Sequence, residues 1–150
     1  TLGSVNFDSV IIVDFGSSLK SVLSSLVYTD VNDETVLITT VNQWFDESIF
    51  RENLVKNLYF PSVDMNQFKK YNKKFLETFG TKPDEITILA YDALGLIYYV
   101  WNKNNGINSI GDFFIKEKIK GKIGTFKFKE NKVSQQLKIY KTKNNKFKEY

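Results

Sequence analysis

Two short runs and the segment between them decide how this chain folds: Phe7-Asp8-Ser9-Val10-Ile11-Ile12-Val13-Asp14, and Thr35-Val36-Leu37-Ile38-Thr39-Thr40-Val41. The first is short, apolar and β-branched, the pattern of a strand covered on both faces in a parallel sheet. Gly16, Ser17 and Ser18 break it and offer a helix cap, after which Leu19, Val22, Leu23 and Leu26 fall on one helical face. A polar turn at Asn32-Asp33-Glu34 leads to the second run. Two strands joined through a helix pair in parallel with a right-handed crossover, so the segment reads as a βαβ unit.

Downstream, Asp46 is placed to cap a short helix through Phe50 and Leu54, and Leu58-Tyr59-Phe60-Pro61 reads as a third, brief strand ended by proline. From Asp64 the period changes. Met65, Phe68, Tyr71, Phe75 and Phe79 form an aromatic stripe at helical spacing, stopped by Gly80 with Pro83 just beyond, and the stripe reads as a core face. Pro83, Asp84 and Glu85 open another helix with acids at its positive end, and Ile86 to Trp101 is apolar nearly all round, which calls for burial on most sides. Asp92 on that helix must find a partner or become neutral.

After Asn104-Asn105-Gly106 comes a short helical piece around Phe113-Phe114-Ile115, then Gly121-Lys122-Ile123-Gly124. Phe126, Phe128 and Val133 mark strands on either side of a Glu130-Asn131-Lys132 turn, and Leu137, Ile139 and Tyr140 run to Asn144-Asn145 and a last strand, Lys146 to Tyr150. The expected fold class is α/β: a parallel βαβ layer flanked by helices, with a C-terminal antiparallel meander. No internal repeat or low-complexity linker marks a domain boundary.

Composition narrows the chemistry. The 150 residues, 42 % of them hydrophobic, suffice for one sizeable core. The sequence has no histidine and no cysteine, which excludes thiol nucleophiles, disulfides, thiolate metal sites, imidazole bases and Ser/His/Asp triads. Net charge is +4, but the part up to Asp64 carries −6 (three basic, nine acidic residues) and the remainder +10, so the whole-chain balance says little about partners. The longest apolar stretch, Ile86 to Trp101, is interrupted by Thr87, Asp92 and Gly95 and is short of the roughly 20 residues a bilayer span takes. Thr1 to Val5 has neither the basic patch nor the apolar core of an export signal, so for an exported protein that address is expected upstream.

Four stretches together resemble the second half of the type I periplasmic-binding fold, the family of branched-chain amino-acid-binding proteins and of lipoproteins that activate penicillin-binding proteins. They are the Phe7-Asp8-Ser9-Val10 strand opening with its turn and helix; the Thr40 to Asp46 loop, with Trp44 and Asp46, similar to the family's glycine-threonine-x-x-tryptophan-aspartate loop; Phe75-Leu76-Glu77-Thr78-Phe79-Gly80-Thr81-Lys82-Pro83-Asp84 followed by Ala90-Tyr91-Asp92-Ala93; and Gly121-Lys122-Ile123-Gly124 with Phe128 and the final strands. The resemblance implies two α/β lobes that close on a ligand by hinge motion, with residues 1–150 as the carboxy-terminal lobe, the first lobe absent, and the helix around Tyr91 placed on the other lobe. It implies a non-catalytic, solute-binding component of an ABC importer or a related envelope lipoprotein; the alternative is a regulator of penicillin-binding proteins in cell-wall synthesis. The expected location is periplasmic, with any lipid anchor upstream. The expected partners are a small polar solute or an envelope protein, and an ABC permease. No cofactor, metal or nucleic acid is expected.

In open α/β sheets ligands sit beyond the carboxyl ends of the strands, which selects two loops. In the first, Asp14, Phe15, Ser17 and Ser18 offer hydroxyls and free backbone amides for a carboxylate or hydroxyl, against the plainer reading that the serines cap a helix. In the second, Trp44 offers a flat apolar wall while Asn42 and Gln43 offer donors and acceptors; the plainer reading makes Asp46 a cap and Trp44 core filling. In amino-acid-binding relatives this loop can supply an acid for the ligand's ammonium, and here the matching residue is the uncharged Asn42. Tyr91 can face the cleft in the family, although a buried tyrosine with a satisfied hydroxyl is the simpler expectation. A metal-dependent enzyme lobe using Asp14 or Asp46 is the rival class, without partner ligands in the sequence. The tail lysines alternate with apolar residues and read as the solvated face of a meander rather than a nucleic-acid surface.

Overall fold

The computed structural model describes residues 5–51, 56–129 and 132–150. The chain divides into two compact units, Thr1–Ser62 with Lys138–Tyr150, and Val63–Leu137.

In the first unit, β1 (Ser9–Ile12), β2 (Leu37–Thr40), β3 (Leu58–Ser62), β7 (Lys138–Lys143) and β8 (Lys146–Glu149) form one sheet in that order. The β1–β2 pairing is parallel, Ser9 opposite Leu37 through Ile12 opposite Thr40, and β3 joins β2 in parallel. The expected βαβ unit is present. β7 then pairs antiparallel with β3, and β8 with β7. Helix α1 (Gly16–Tyr28) covers one face: Leu19 and Leu23 pack with Ile12, Val31, Val36, Ile38 and Leu58 in a continuous apolar core. A second cluster is aromatic, with Phe45 edge-on to Tyr140 at 4.9 Å and to Phe147 at 5.6 Å. The hydroxyl of Thr142 on β7 accepts the Leu58 N–H and donates to the Lys56 carbonyl, which fixes the start of β3.

The second unit holds α2 (Met65–Phe79), α3 (Glu85–Asn104), and a three-stranded antiparallel sheet of β4 (Ile119–Lys120), β5 (Thr125–Lys129) and β6 (Lys132–Gln135). The α2 boundaries are where its sequence puts them. Asp64 accepts the Gln67 N–H as N-cap, and Gly80 at φ 73° ends the helix in the left-handed conformation that favours glycine. Asp92 finds its partner: its carboxylate accepts the Lys122 N–H at 2.6 Å. Gly121 lies so close to that carboxyl that an added Cβ would meet Asp92 Cγ at 2.9 Å and the Phe126 ring at 3.0 Å.

Several expectations are corrected. The first strand is not covered on both faces: α1 packs on the alternate residues, and Ile11 and Val13 are left 75 % and 78 % exposed. The apolar helix is not buried on most sides; Ile88 and Val100 are buried, while Ile86 and Tyr98 are 72 % and 70 % exposed. All-round apolarity records a demand for burial, and within this unit only one narrow stripe of α3 meets it. The aromatic stripe of α2 is core at Phe68 and Tyr71 but exposed at Phe79, where it walls a cleft of about 350 Å³ with Tyr71, Phe75, Tyr91 and Lys122. The tail strands are antiparallel as expected but split, with β5–β6 in one sheet and β7–β8 in the other. Pro61 lies inside β3 opposite Ile139, one residue before the strand ends. Leu54, and Glu130 and Asn131 of the expected turn, lie outside the described residues. Among the described residues no helix is long and apolar enough to cross a membrane.

Candidate functional site

The parallel register of β1 and β2 brings the loops after them to the same end of the sheet. Their closeness is held by hydrogen bonds. The Asp14 carbonyl accepts from the Thr40 hydroxyl at 2.9 Å and from the Gln43 side-chain amide at 3.0 Å, and the same amide lies 3.1 Å from the Val41 carbonyl and 3.2 Å from the Thr40 hydroxyl. Gln43 is 6 % exposed. A buried amide needs partners, and here the partners are the backbone of both loops. Gln43 therefore splices the loops together and does not offer its amide outward. Thr40, not singled out from the sequence, shares that role; a threonine ending a strand gives no local sign that its hydroxyl reaches the carbonyl of another loop.

Asn42 is also turned to structure. Its Oδ1 accepts the Trp44 N–H at 2.9 Å and the Ser62 hydroxyl at 2.8 Å. That side chain holds the bend through Trp44 and Phe45, whose φ values of 48° and 59° lie in the left-handed region that non-glycine residues rarely occupy. The bend buries the Phe45 ring among Phe60, Tyr140 and Phe147 and leaves Trp44 half-buried at the loop crest. Phe45 anchors the loop through partners far along the chain, which its local sequence does not signal. Asp46 is the cap it was read to be: its carboxylate accepts the Ser48 N–H and hydroxyl at the head of the 3-10 turn Glu47–Phe50.

Across from it, Asp14 is half-buried and its carboxylate accepts the Phe15 N–H at 2.8 Å. Phe15 is the N-cap of α1 and makes no side-chain capping bond. Ser17 and Ser18 are not the caps, because the helix begins at Gly16 and both already lie in its first turn; they are exposed, as is the Phe15 ring. The candidate site in this unit thus consists of Phe15, the serine-bearing first turn of α1, Asp14 and Trp44, over a base tied by Thr40, Asn42, Gln43 and Phe45. Tyr91 belongs to the second unit, on α3, where it is exposed rather than buried and its ring centroid lies 5.9 Å from that of Tyr71. Burial first, then Tyr91 and Asp92, raise the Tyr71 phenol above its ordinary pKa. Among the described residues no group of three or more acidic, histidine or cysteine side chains could hold a metal ion.

No protein-family model matches the sequence, and no curated protein matches it. Solved structures do. A leucine-binding protein, LivK, from Thermotoga maritima MSB8 superposes with a TM-score of 0.68 at 14 % identity over 95 % of this chain. The fold is that of a type I periplasmic-binding-protein lobe. An extracellular ligand-binding receptor from Desulfohalobium retbaense DSM5692 gives 0.70 at 11 % identity over 95 % of this chain, and a candidate branched-chain amino acid ABC transporter from Rhodospirillum rubrum gives 0.65 at 9 % over 97 %. The chain spans 43 %, 26 % and 61 % of those three proteins, respectively. At such identities the likeness to type I solute-binding proteins establishes architecture alone.

Proposed function

We propose that this chain is the carboxy-terminal portion of a non-catalytic, extracytoplasmic solute-binding protein, and that the loops after β1 and β2 form one wall of its ligand crevice. The observation that carries the reading is the parallel β1–β2 pairing with both loop backbones fastened through Gln43 and Thr40. Fixed loops at the carboxyl ends of parallel strands are where open α/β sheets take ligands. Phe15 and Trp44 supply apolar walls, the exposed first turn of α1 supplies N–H donors, and Asp14 supplies a carboxylate. The ligand class is a small polar solute. Two of the superposed proteins are a leucine-binding protein and a candidate branched-chain amino acid transporter, and for this chain an amino acid is the first candidate, with Asp14 in place of the acid missing at Asn42. An ABC permease is the corresponding partner.

One wall leaves a ligand open to water, so the 150-residue chain binds weakly. The test is an amide chemical-shift titration with leucine and with a panel of other amino acids and polar solutes. The reading expects shifts at Phe15 to Ser18 and at the Trp44 indole. Shifts confined to residues 63–137, no shifts with any solute, or sub-micromolar binding in calorimetry would each overturn it.

A further inference from the structure

The face of the first unit's sheet opposite α1 carries a cluster of four lysines. Side chains alternate along a strand, so with Tyr140, Thr142 and Phe147 buried on the inner side, Lys141, Lys143, Lys146 and Lys148 project from the outer one. The β7–β8 register sets Lys141 directly opposite Lys148 and Lys143 directly opposite Lys146. Like charges facing each other across an antiparallel pair destabilise it, so this arrangement does not serve the hairpin. Nor do the described residues nearby compensate it. The hairpin's one acidic side chain, Glu149, lies on the inner side, where Lys138 takes it at 2.9 Å. Lys143, Lys146 and Lys148 have no ion pair among the described residues, and Lys141 sits over the rings of Tyr59 and Tyr150 at 5.6 and 5.4 Å.

We propose that this face seats the protein on an anionic lipid surface. The four cations are all lysine; Arg51 is the sole arginine in the chain. Lysine is a point charge without the bidentate fork that reads defined carboxylates on a protein partner, so a cluster of lysines suits a diffuse negative field. The exposed Ile139 and Tyr150 and the half-buried Tyr59 share that face. Tyrosine with a neighbouring apolar group is the side-chain chemistry that rests at headgroup level. Near an anionic bilayer each lysine raises partitioning roughly fivefold, and four together on the order of a thousandfold. The inference does not rest on the crevice reading, since it uses neither loop.

Vesicles of equal parts phosphatidylcholine and phosphatidylglycerol, and of phosphatidylcholine alone, are sedimented with the whole chain. Expected is binding to the anionic vesicles that is lost in about 0.5 M salt and falls on the order of a thousandfold when all four lysines are changed to glutamine. Because the substitutions relieve opposed charges, the quadruple variant should melt no lower than the parent, which keeps misfolding apart from loss of the surface. The triple change Lys69→Gln, Lys70→Gln, Lys73→Gln on α2 should leave binding within severalfold. The proposal fails if the chain ignores anionic vesicles, if it binds neutral ones equally, or if the α2 variant rather than the hairpin variant loses binding. It fails likewise if soluble polyphosphate binds the hairpin as tightly as vesicles do, which would assign the face to an acidic polymer.

Discussion

Replacing Gln43 by methionine isolates the splice between the two loops. Methionine fills nearly the same volume in the same buried position, so packing is kept and the amide's hydrogen bonds are removed. The amide has two hydrogens and carbonyl acceptors at 3.0 and 3.1 Å. At about 0.5–1.5 kcal/mol net for each bond, Gln43→Met should cost about 1–3 kcal/mol. The Asp14 carbonyl keeps the Thr40 hydroxyl at 2.9 Å in that variant, and keeps Gln43 in Thr40→Val. Only the double variant leaves this part-buried carbonyl without either donor, and at such a site the loss is about 1 kcal/mol, the low end of the range for a buried acceptor. The double change should therefore exceed the sum of the singles by about 1 kcal/mol, a coupling that a thermodynamic cycle measures directly. Urea unfolding followed by Trp44 fluorescence, in a Trp101→Phe background, reads the first unit. Strictly additive costs, or a Gln43→Met cost below about 0.5 kcal/mol, would refute the claim that these side chains join the loops.

Further outcomes follow from the same structure. Phe45→Ala, which empties a pocket between Phe60, Tyr140 and Phe147, should destabilise by about 3–5 kcal/mol in the same urea assay, with the loss confined to the first unit's transition. Gly121→Ala, whose Cβ would press on the Asp92 carboxyl, should cost about 1–3 kcal/mol, and the added change Asp92→Ala should recover part of it, as read by thermal melting. Tyr71, whose pKa is raised above 10.0 chiefly by burial, keeps its proton in the folded state after the unfolded chain has lost it. The sign follows: its contribution is fully present below pH 10.0, declines as pH rises through the raised value, and should be absent from the pH profile of Tyr71→Phe.

The parts of the fold that local chemistry controls could be read directly. The two β-branched runs and the one-faced helix between them produced the parallel pair, and Asp64 and Gly80 bounded α2 because a capping carboxylate and a left-handed glycine act within their own turn. What escaped was set by distant partners. Phe45 anchors on Tyr140 and Phe147, and Thr142 reaches Lys56 and Leu58, pairs separated by most of the chain. The apolar character of α3 correctly registered a need for burial but carried no information on where its cover comes from. At the site, Asn42, Gln43 and Trp44 were recognised by type, yet two of the three face inward. Side-chain amides serve a ligand or a backbone equally well, and only geometry distinguishes the two uses.

Whether the crevice wall exists at all depends on β1 and β2 running the same way. Interstrand backbone nuclear Overhauser contacts in solution measure this. Contacts should advance together, from Ser9 with Leu37 to Ile12 with Thr40, with a close approach of Asp14 to Gln43. Contacts that run in opposite order, or none between these strands, would contradict the parallel arrangement.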